Sequence, residues 1–177
     1  MARRPHSFTE EDFESLEGRA SKTEQKKAVQ RMAALGAQLA ELSVKQIQNL
    51  PVEERLIDAL LDVQTITSNE ARRRQFQRIG KLLRNEDENV ILSYLTPKQG
   101  VKKTAQLQRW TDRLIKDGDP AINEFTKIYN ATERHTLRQH VLRVHRDIKN
   151  QLPEEELAAS RQKLFNYVQQ VALISDN

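Results

Sequence analysis

The 177-residue chain contains no cysteine and only five glycines and five prolines. The absence of cysteine excludes disulfide bonds, thiolate catalysis, and zinc or iron–sulfur sites with cysteine ligands. So few glycines and prolines leave little of the turn chemistry that an all-β sandwich or barrel requires. Apolar runs never exceed four residues, as in 32–35 and 171–174, which is too short for a transmembrane helix.

Hydrophobic residues make up 37% of the chain and charged residues 31%, with a mean hydropathy of −0.74. A chain this polar is not expected to build one large core. The segment from Met1 to Phe13 is charged where a signal peptide needs an apolar stretch. We therefore expect a cytoplasmic protein without membrane association.

The spacing of apolar residues predicts an all-α fold, because they recur at steps of three and four and no strand pattern of useful length is present. We divide the chain at changes of pattern. Residues 1–20 are predicted to be a flexible N-terminal segment, 21–96 a helical bundle, 97–103 a linker and 104–177 a second helical bundle.

The apolar face changes within the first bundle. Ile79 lies about 140° around a helix from Leu56, so either the helix breaks at 67–70, which has a capping-box pattern, or one long helix buries different faces in its two halves. We favour a long helix, straight or kinked, that links two small bundles.

Known catalytic and metal-binding patterns are missing. His135, His140 and His145 are five residues apart, about 500° of helix, so they point to different faces and do not form one metal site. No HExxH, Gly-rich phosphate loop or GxSxG occurs. The paired acids lie at the predicted starts of helices, where they are stabilised by the positive end of the helix macrodipole. A catalytic role is not needed to explain them. We expect no enzyme activity, no metal, no cofactor and no small-molecule substrate.

The net charge of +4 hides an uneven distribution. Residues 72–149 contain 18 Lys/Arg against nine Asp/Glu, a net charge of +9, whereas the rest of the chain contains 11 against 16, a net charge of −5. A basic middle region of this kind indicates a surface for a polyanion.

Basic residues concentrate in segment 71–85, which contains no acid. Four of them follow one another at steps of four, three and three residues, so they form a stripe along a helix. Five of the six are arginine, which binds phosphate bidentately. The six are Arg72, Arg73, Arg74, Arg78, Lys81 and Arg84.

Nine further basic residues extend the predicted surface: Lys98, Lys102, Lys103, Arg109, Arg113, Arg138, Arg143, Arg146 and Lys149. Aromatic residues are few and lie at core spacings, so recognition by shape and backbone charge is expected rather than base stacking, and Trp110 is assigned to the core. This combination favours structured RNA. Two alternatives stay open: a basic interaction module that docks on an acidic protein, and a DNA-binding protein.

The arginine cluster carries a family resemblance. Residues 66–84 read ITSNEARRRQFQRIGKLLR and closely resemble the signature of the DarP (YjgA) family, with further matches such as Ser21-Lys22-Thr23 and the segment 163–168. The resemblance spans about residues 21–172.

This resemblance implies a non-enzymatic bacterial factor in ribosome biogenesis. Such proteins look like paired helical bundles that bind late precursors of the large (50S) ribosomal subunit through 23S rRNA and promote maturation of the peptidyl transferase centre. It marks the six basic residues of 72–84 as rRNA-contacting, whereas the nine of 98–149 follow from charge alone. Ribosomal proteins are further candidate partners, and we expect a monomer.

Overall fold

A computed structural model describes residues 7–175, and within that range the chain forms α-helices and no strand, which confirms the all-α prediction. Short 3₁₀ turns at 15–17, 63–65 and 96–98 connect some of the helices. None of the described helices is both long and apolar enough to cross a membrane. The ten helices are α1 (Glu10–Glu14), α2 (Lys22–Ala40), α3 (Val44–Gln48), α4 (Glu54–Asp62), α5 (Asn69–Leu83), α6 (Glu88–Leu95), α7 (Gly100–Asp117), α8 (Asp119–Ile128), α9 (Arg134–Lys149) and α10 (Glu154–Ile174).

Buried apolar side chains form two clusters. The N-terminal core lies among α2 to α6 around residues such as Leu39, and the C-terminal core lies among α7 to α10 around residues such as Phe125. The last residues of α10, Leu173 and Ile174, pack against the N-terminal core. Because α10 contributes to both clusters, the division into units 21–96 and 104–177 stays a prediction.

The prediction of a long helix linking the two bundles is wrong. Helix α4 ends at Asp62, and Ser68 begins α5 by accepting a hydrogen bond from the backbone N–H of Ala71 at 3.4 Å. Helix α5 then packs against α4, with Gln75 Nε2 donating to the carbonyl of Ala59 at 2.9 Å. The apolar face changes because the chain turns between two helices that share one core, and not because one helix has two packing partners.

Two glycines set the close approach of α2 and α5. A Cβ atom on Gly36 would lie 2.6 Å from Cγ2 of Ile79, and one on Gly80 would lie 3.0 Å from the backbone nitrogen of Ala33. The first distance would force Ile79 to move, and the second is a tight contact with the backbone of α2 that would require a small shift of that helix. The tight contact fixes α5 against α2 and leaves the opposite face of α5 exposed to solvent.

Two further boundaries differ from the sequence prediction. The predicted linker 97–103 is shorter, because Gly100, with a φ of +80°, is already the first residue of α7. Of the predicted flexible segment 1–20, residues 1–6 lie outside the described part. The rest contains α1, where Thr9 and Asp12 form a reciprocal capping box.

Candidate nucleic-acid interface

The last half of α5 and its C-terminal cap residue, Arg84, present three basic side chains to solvent. Arg78, Lys81 and Arg84 are exposed, and none forms an ion pair with an acid in the part of the chain that the structure describes. They follow one another at steps of three residues, so they lie on successive turns of the helix. Glu86 and Glu88 line the same cavity as Arg84 but form no ion pair with it, so all three cations are available to phosphate groups. We call these three residues the α5 stripe.

The first turns of α5 hold two more arginines that share one acid. The guanidinium groups of Arg73 and Arg74 lie 4.0 Å and 3.3 Å from Glu70, and all three side chains are about two-thirds exposed or more. Surface ion pairs of this kind contribute little to stability. Both arginines can therefore exchange Glu70 for a phosphate at low cost.

Arg72 has a different environment from its neighbours. Its Nη1 donates to the carbonyls of Val63 at 2.8 Å and Ile66 at 3.2 Å. These two residues are the first residue of the 3₁₀ turn between α4 and α5 and the residue that follows this turn. The guanidinium also lies 5.6 Å from the ring centre of Phe76. These contacts indicate that Arg72 stabilises the turn.

A second basic surface lies in the groove between α9 and α10. Arg143, Arg146 and Lys163 line this groove, which has a volume of about 240 Å³. Arg143 and Lys163 have no ion pair with the described acids, whereas Arg146 lies 3.7 Å from Asp147. Asp147 itself accepts a hydrogen bond from Ser160 and Glu156 lines the same groove, so the net charge of the groove is small and positive.

Lys163 is absent from the sequence-derived site. The count of basic residues ended at Lys149, and a groove built by two helices combines residues that are far apart in sequence. The segment 163–168 matched the family pattern, and this was the available signal for Lys163.

Four more of the predicted basic residues are engaged in contacts within the protein. Lys103 donates to Tyr129 Oη at 2.9 Å, Arg113 pairs with Glu124 and with Asp117 at 3.6 Å, Arg138 pairs with Asp12 and Asp119, and Lys149 pairs with Glu10. Trp110, expected in the core, is buried there with the Arg113 guanidinium 4.7 Å from its ring centre. The buried ring cannot act as a stacking platform for a base.

The remaining predicted residues lie on and before α7. Lys98 is 4.0 Å from Glu41, while Lys102 and Arg109 are exposed and have no ion pair within residues 7–175. Together with the α5 stripe, these side chains can bind phosphate groups, but no exposed aromatic ring lies among them for base recognition. An RNA would therefore be recognised here through its backbone charge and its shape.

The three described histidines are separated, as the sequence predicts. His145 Nε2 lies 2.7 Å from the carbonyl oxygen of Ile115, and the ring of His140 packs on Tyr167 with their centres 5.3 Å apart. Burial, together with the charges of Arg143, Arg31 and Lys163, lowers the pKa of His140 to about 4. Within residues 7–175, no three His, Cys, Asp or Glu residues lie close enough to hold a metal ion.

Comparison with known proteins identifies the family. The family model described as "Dual-action ribosomal maturation protein DarP" matches residues 18–169. A protein of the same name from Nitrosomonas eutropha is 38% identical over 162 residues, which cover 89% of this chain and 92% of that protein. The one from Nitrosomonas europaea is 42% identical over 139 residues, covering 76% of this chain and 77% of that protein. The one from Edwardsiella ictaluri is 34% identical over 161 residues, covering 88% of this chain and 85% of that protein. The chain belongs to the DarP family.

Proposed function

We propose that the protein is a cytoplasmic, non-enzymatic and monomeric ribosome assembly factor that binds late precursors of the large subunit through 23S rRNA. The observation that carries the proposal is the α5 stripe. Arg78, Lys81 and Arg84 are exposed, and the close contact at Gly36 and Gly80 fixes α5 against α2. None of the three forms an ion pair with an acid among residues 7–175. Membership of a family named for ribosomal maturation supports the same reading.

The proposed mechanism is differential binding. A scaffold of packed helices presents guanidinium and ammonium groups at fixed spacing, and arginine matches a phosphate with two parallel hydrogen bonds. An rRNA arrangement whose phosphates fit this spacing is bound more tightly than the alternatives, so its population rises without a chemical step. In the proposed role, the arrangement favoured is the one that leads to a mature peptidyl transferase centre.

The contacts within the protein refine the proposed rRNA-binding residues. Arg72, Lys103 and Arg113 are set aside because their side chains are engaged in structural contacts. Arg138 and Lys149 are left out because they pair with Asp12 and Glu10, and Lys163 is added. The proposed surface then consists of Arg73, Arg74, Arg78, Lys81, Arg84, Lys98, Lys102, Arg109, Arg143, Arg146 and Lys163.

The test replaces the α5 stripe by glutamine in the triple variant R78Q/K81Q/R84Q. We expect this variant to lose co-sedimentation with precursor large subunits while its helix content and unfolding midpoint stay unchanged. The matched control is K45Q/R55Q/K127Q, which removes three exposed cations from α3, α4 and α8. Equal co-sedimentation of both variants and the wild type would contradict the proposal.

RNase treatment of the bound particle separates RNA binding from docking on an acidic protein. An rRNA-binding protein leaves the particle when the accessible rRNA is digested, whereas one that docks on a protein stays. Retention after digestion would favour the interaction module, and tight binding to duplex DNA at physiological salt would favour the DNA-binding alternative.

A further inference from the structure

The N-terminal segment 7–18 is acidic and lies on a basic face. It contains five acids and no lysine or arginine. Asp12 Oδ1 accepts a hydrogen bond from Arg138 Nη2 at 2.8 Å, and Glu10 pairs with Lys149. Both cations belong to α9, more than 100 residues away in sequence. The segment therefore covers two of the residues that the sequence assigned to rRNA.

Aromatic rings complete the cover over the same two cations. The Arg138 guanidinium lies 5.5 Å from the ring centre of Phe8, and the ammonium of Lys149 lies 5.2 Å from that of Phe13. Phe8 also packs edge-on against His145 at 4.8 Å. Each cation thus meets an anionic oxygen group and an aromatic ring. In a complex with RNA, the phosphates and the bases would supply the corresponding two kinds of contact.

The surface around this segment is basic beyond these pairs. Lys116 and Arg161 line the cavity beside Phe8 and Phe13, together with Lys149. The cavity has a volume of about 640 Å³, and Asp112 is the acid among the side chains given for its lining. Removal of the segment would uncover a concave surface with four cations, counting Arg138.

The contacts of the segment suit a reversible cover. Helix α1 has no buried residue. Phe8 packs against the edge of the C-terminal core, and Gln139 Nε2 donates to the carbonyl of Ser15 at 3.2 Å, so release gives up one partly buried ring and one hydrogen bond. Asp12 stays ionised, because the hydrogen bond from the backbone N–H of Thr9 and the neighbouring Arg138 lower its pKa. Arg138 keeps Asp119 as a partner at 2.8 Å when Asp12 leaves. Release therefore leaves no buried charge without a partner.

We propose that the N-terminal segment is an intramolecular phosphate mimic, which covers a second rRNA-binding surface on α9 and is displaced by the phosphates of a bound rRNA. This inference rests on the proposed function and adds its regulation. A tethered competitor lowers the apparent affinity for every polyanion by the fraction of molecules that are covered. Only an RNA that also engages the α5 stripe or the α9/α10 groove then gains enough to displace the segment.

The test compares two double variants with equal changes of charge. E10Q/D12N removes the two carboxylates that contact α9. E11Q/E14Q removes two exposed carboxylates of the same helix that form no ion pair with the described basic residues. With a fluorescent RNA hairpin as the probe, we expect E10Q/D12N to bind roughly three- to tenfold more tightly than the wild type and E11Q/E14Q to change the affinity by less than about twofold.

Hydrogen exchange provides the second measurement. The amides of residues 12–17 should lose protection when the RNA hairpin is added to the wild type, and E10Q/D12N should lack that protection without RNA. Unchanged RNA affinity of E10Q/D12N, or equal gains in both double variants, would overturn the inference, as would undiminished protection in the wild-type complex.

The results separate this inference from the proposed function. If R78Q/K81Q/R84Q loses RNA binding while E10Q/D12N binds like the wild type, the α5 stripe is supported and the cover is overturned. If E10Q/D12N gains affinity and the stripe variant binds like the wild type, the cover is supported and the stripe is overturned. Absence of RNA binding by all variants would overturn both.

Discussion

Arg31 and Glu133 form an ion pair of 2.6 Å that joins α2 to the start of α9 and thereby connects the two cores. The Glu133 side chain is fully buried, and that of Arg31 is 14% exposed. Tyr167 donates to Glu133 Oε2 at 3.2 Å, and the Arg31 guanidinium lies 5.1 Å from the Tyr167 ring centre. The buried carboxylate depends on Arg31 for its compensating charge.

Replacing Arg31 by methionine should therefore destabilise the protein by about 3–5 kcal/mol, because it leaves a buried carboxylate without a countercharge. Urea unfolding measures the loss. The control R55M breaks an exposed pair with Glu53, 3.6 Å apart, and should cost less than about 1 kcal/mol. The double variant R31M/E133L should recover most of the loss. Equal effects of R31M and R55M would show that the buried pair is not needed.

The close contact at Gly36 leads to a second prediction about the stability of the fold. Replacing this glycine by alanine places a Cβ 2.6 Å from Cγ2 of Ile79. Overpacking costs about 1–3 kcal/mol, and the better helix propensity of alanine offsets about 1 kcal/mol, so G36A should lose roughly 1 kcal/mol net. In the I79A background the clash is absent, and the same change should stabilise the protein. A double-mutant cycle by thermal unfolding tests this coupling, and additive effects would contradict it.

Local sequence signals predict most of the helices but not how the chain turns between them. The pattern at Ser68 was recognised as a cap, and the structure uses it to begin α5. The long helix was favoured because the change of apolar face between Leu56 and Ile79 fits either arrangement. The contact between α4 and α5 decides between the two arrangements. It is formed by residues on different helices, here Ala59 and Gln75, and a local sequence pattern does not reveal such a contact.

The candidate site shows the same limit. Arg72 and Arg78 belong to the same acid-free basic segment of the sequence, yet Arg72 reaches two backbone carbonyls that lie close to it because the chain turns at 63–68. Arg138 lies in a basic region of the sequence, but Asp12 approaches it from the other end of the chain. Charge counts identify the polyanion-binding region and cannot say which cations the fold itself occupies.

Arg72 and Arg78 should respond to alanine in opposite ways. R72A removes two hydrogen bonds from a charged donor to the turn, so it should lower the free energy of unfolding by about 1–3 kcal/mol. R78A, an exposed change, should stay within about 0.5 kcal/mol of the wild type but weaken binding to the RNA hairpin. Chemical unfolding and fluorescence anisotropy on the same preparations test this. A stable R72A variant with weakened RNA binding would assign Arg72 to the interface.

Salt dependence measures how many phosphates the α5 stripe contacts. Each phosphate contact contributes roughly 0.7–0.9 to the slope of log affinity against log salt concentration. If all three stripe residues bind phosphates, R78Q/K81Q/R84Q should flatten the slope by about 2 to 3. The control K45Q/R55Q/K127Q should keep the wild-type slope. A weakened stripe variant with an unchanged slope would mean that the three residues do not bind phosphates directly.

The lowered pKa of His140 makes the free energy of unfolding depend on pH. Its pKa falls from an ordinary 6.5 to about 4, chiefly through burial and then through the charges of Arg143, Arg31 and Lys163. Between these two pH values the unfolded chain binds a proton at His140 that the folded protein does not bind, so stability falls as the pH is lowered from about 6.5 to 4.

The difference of 2.5 between the two pKa values corresponds to roughly 3 kcal/mol in total. Urea unfolding of the wild type and H140Q across this pH range isolates the contribution, because both proteins carry the same carboxylates. We expect the wild type to lose stability relative to H140Q below pH 6.5 and the difference to level off near pH 4. Parallel pH profiles of the two proteins would mean that His140 titrates normally in the folded state.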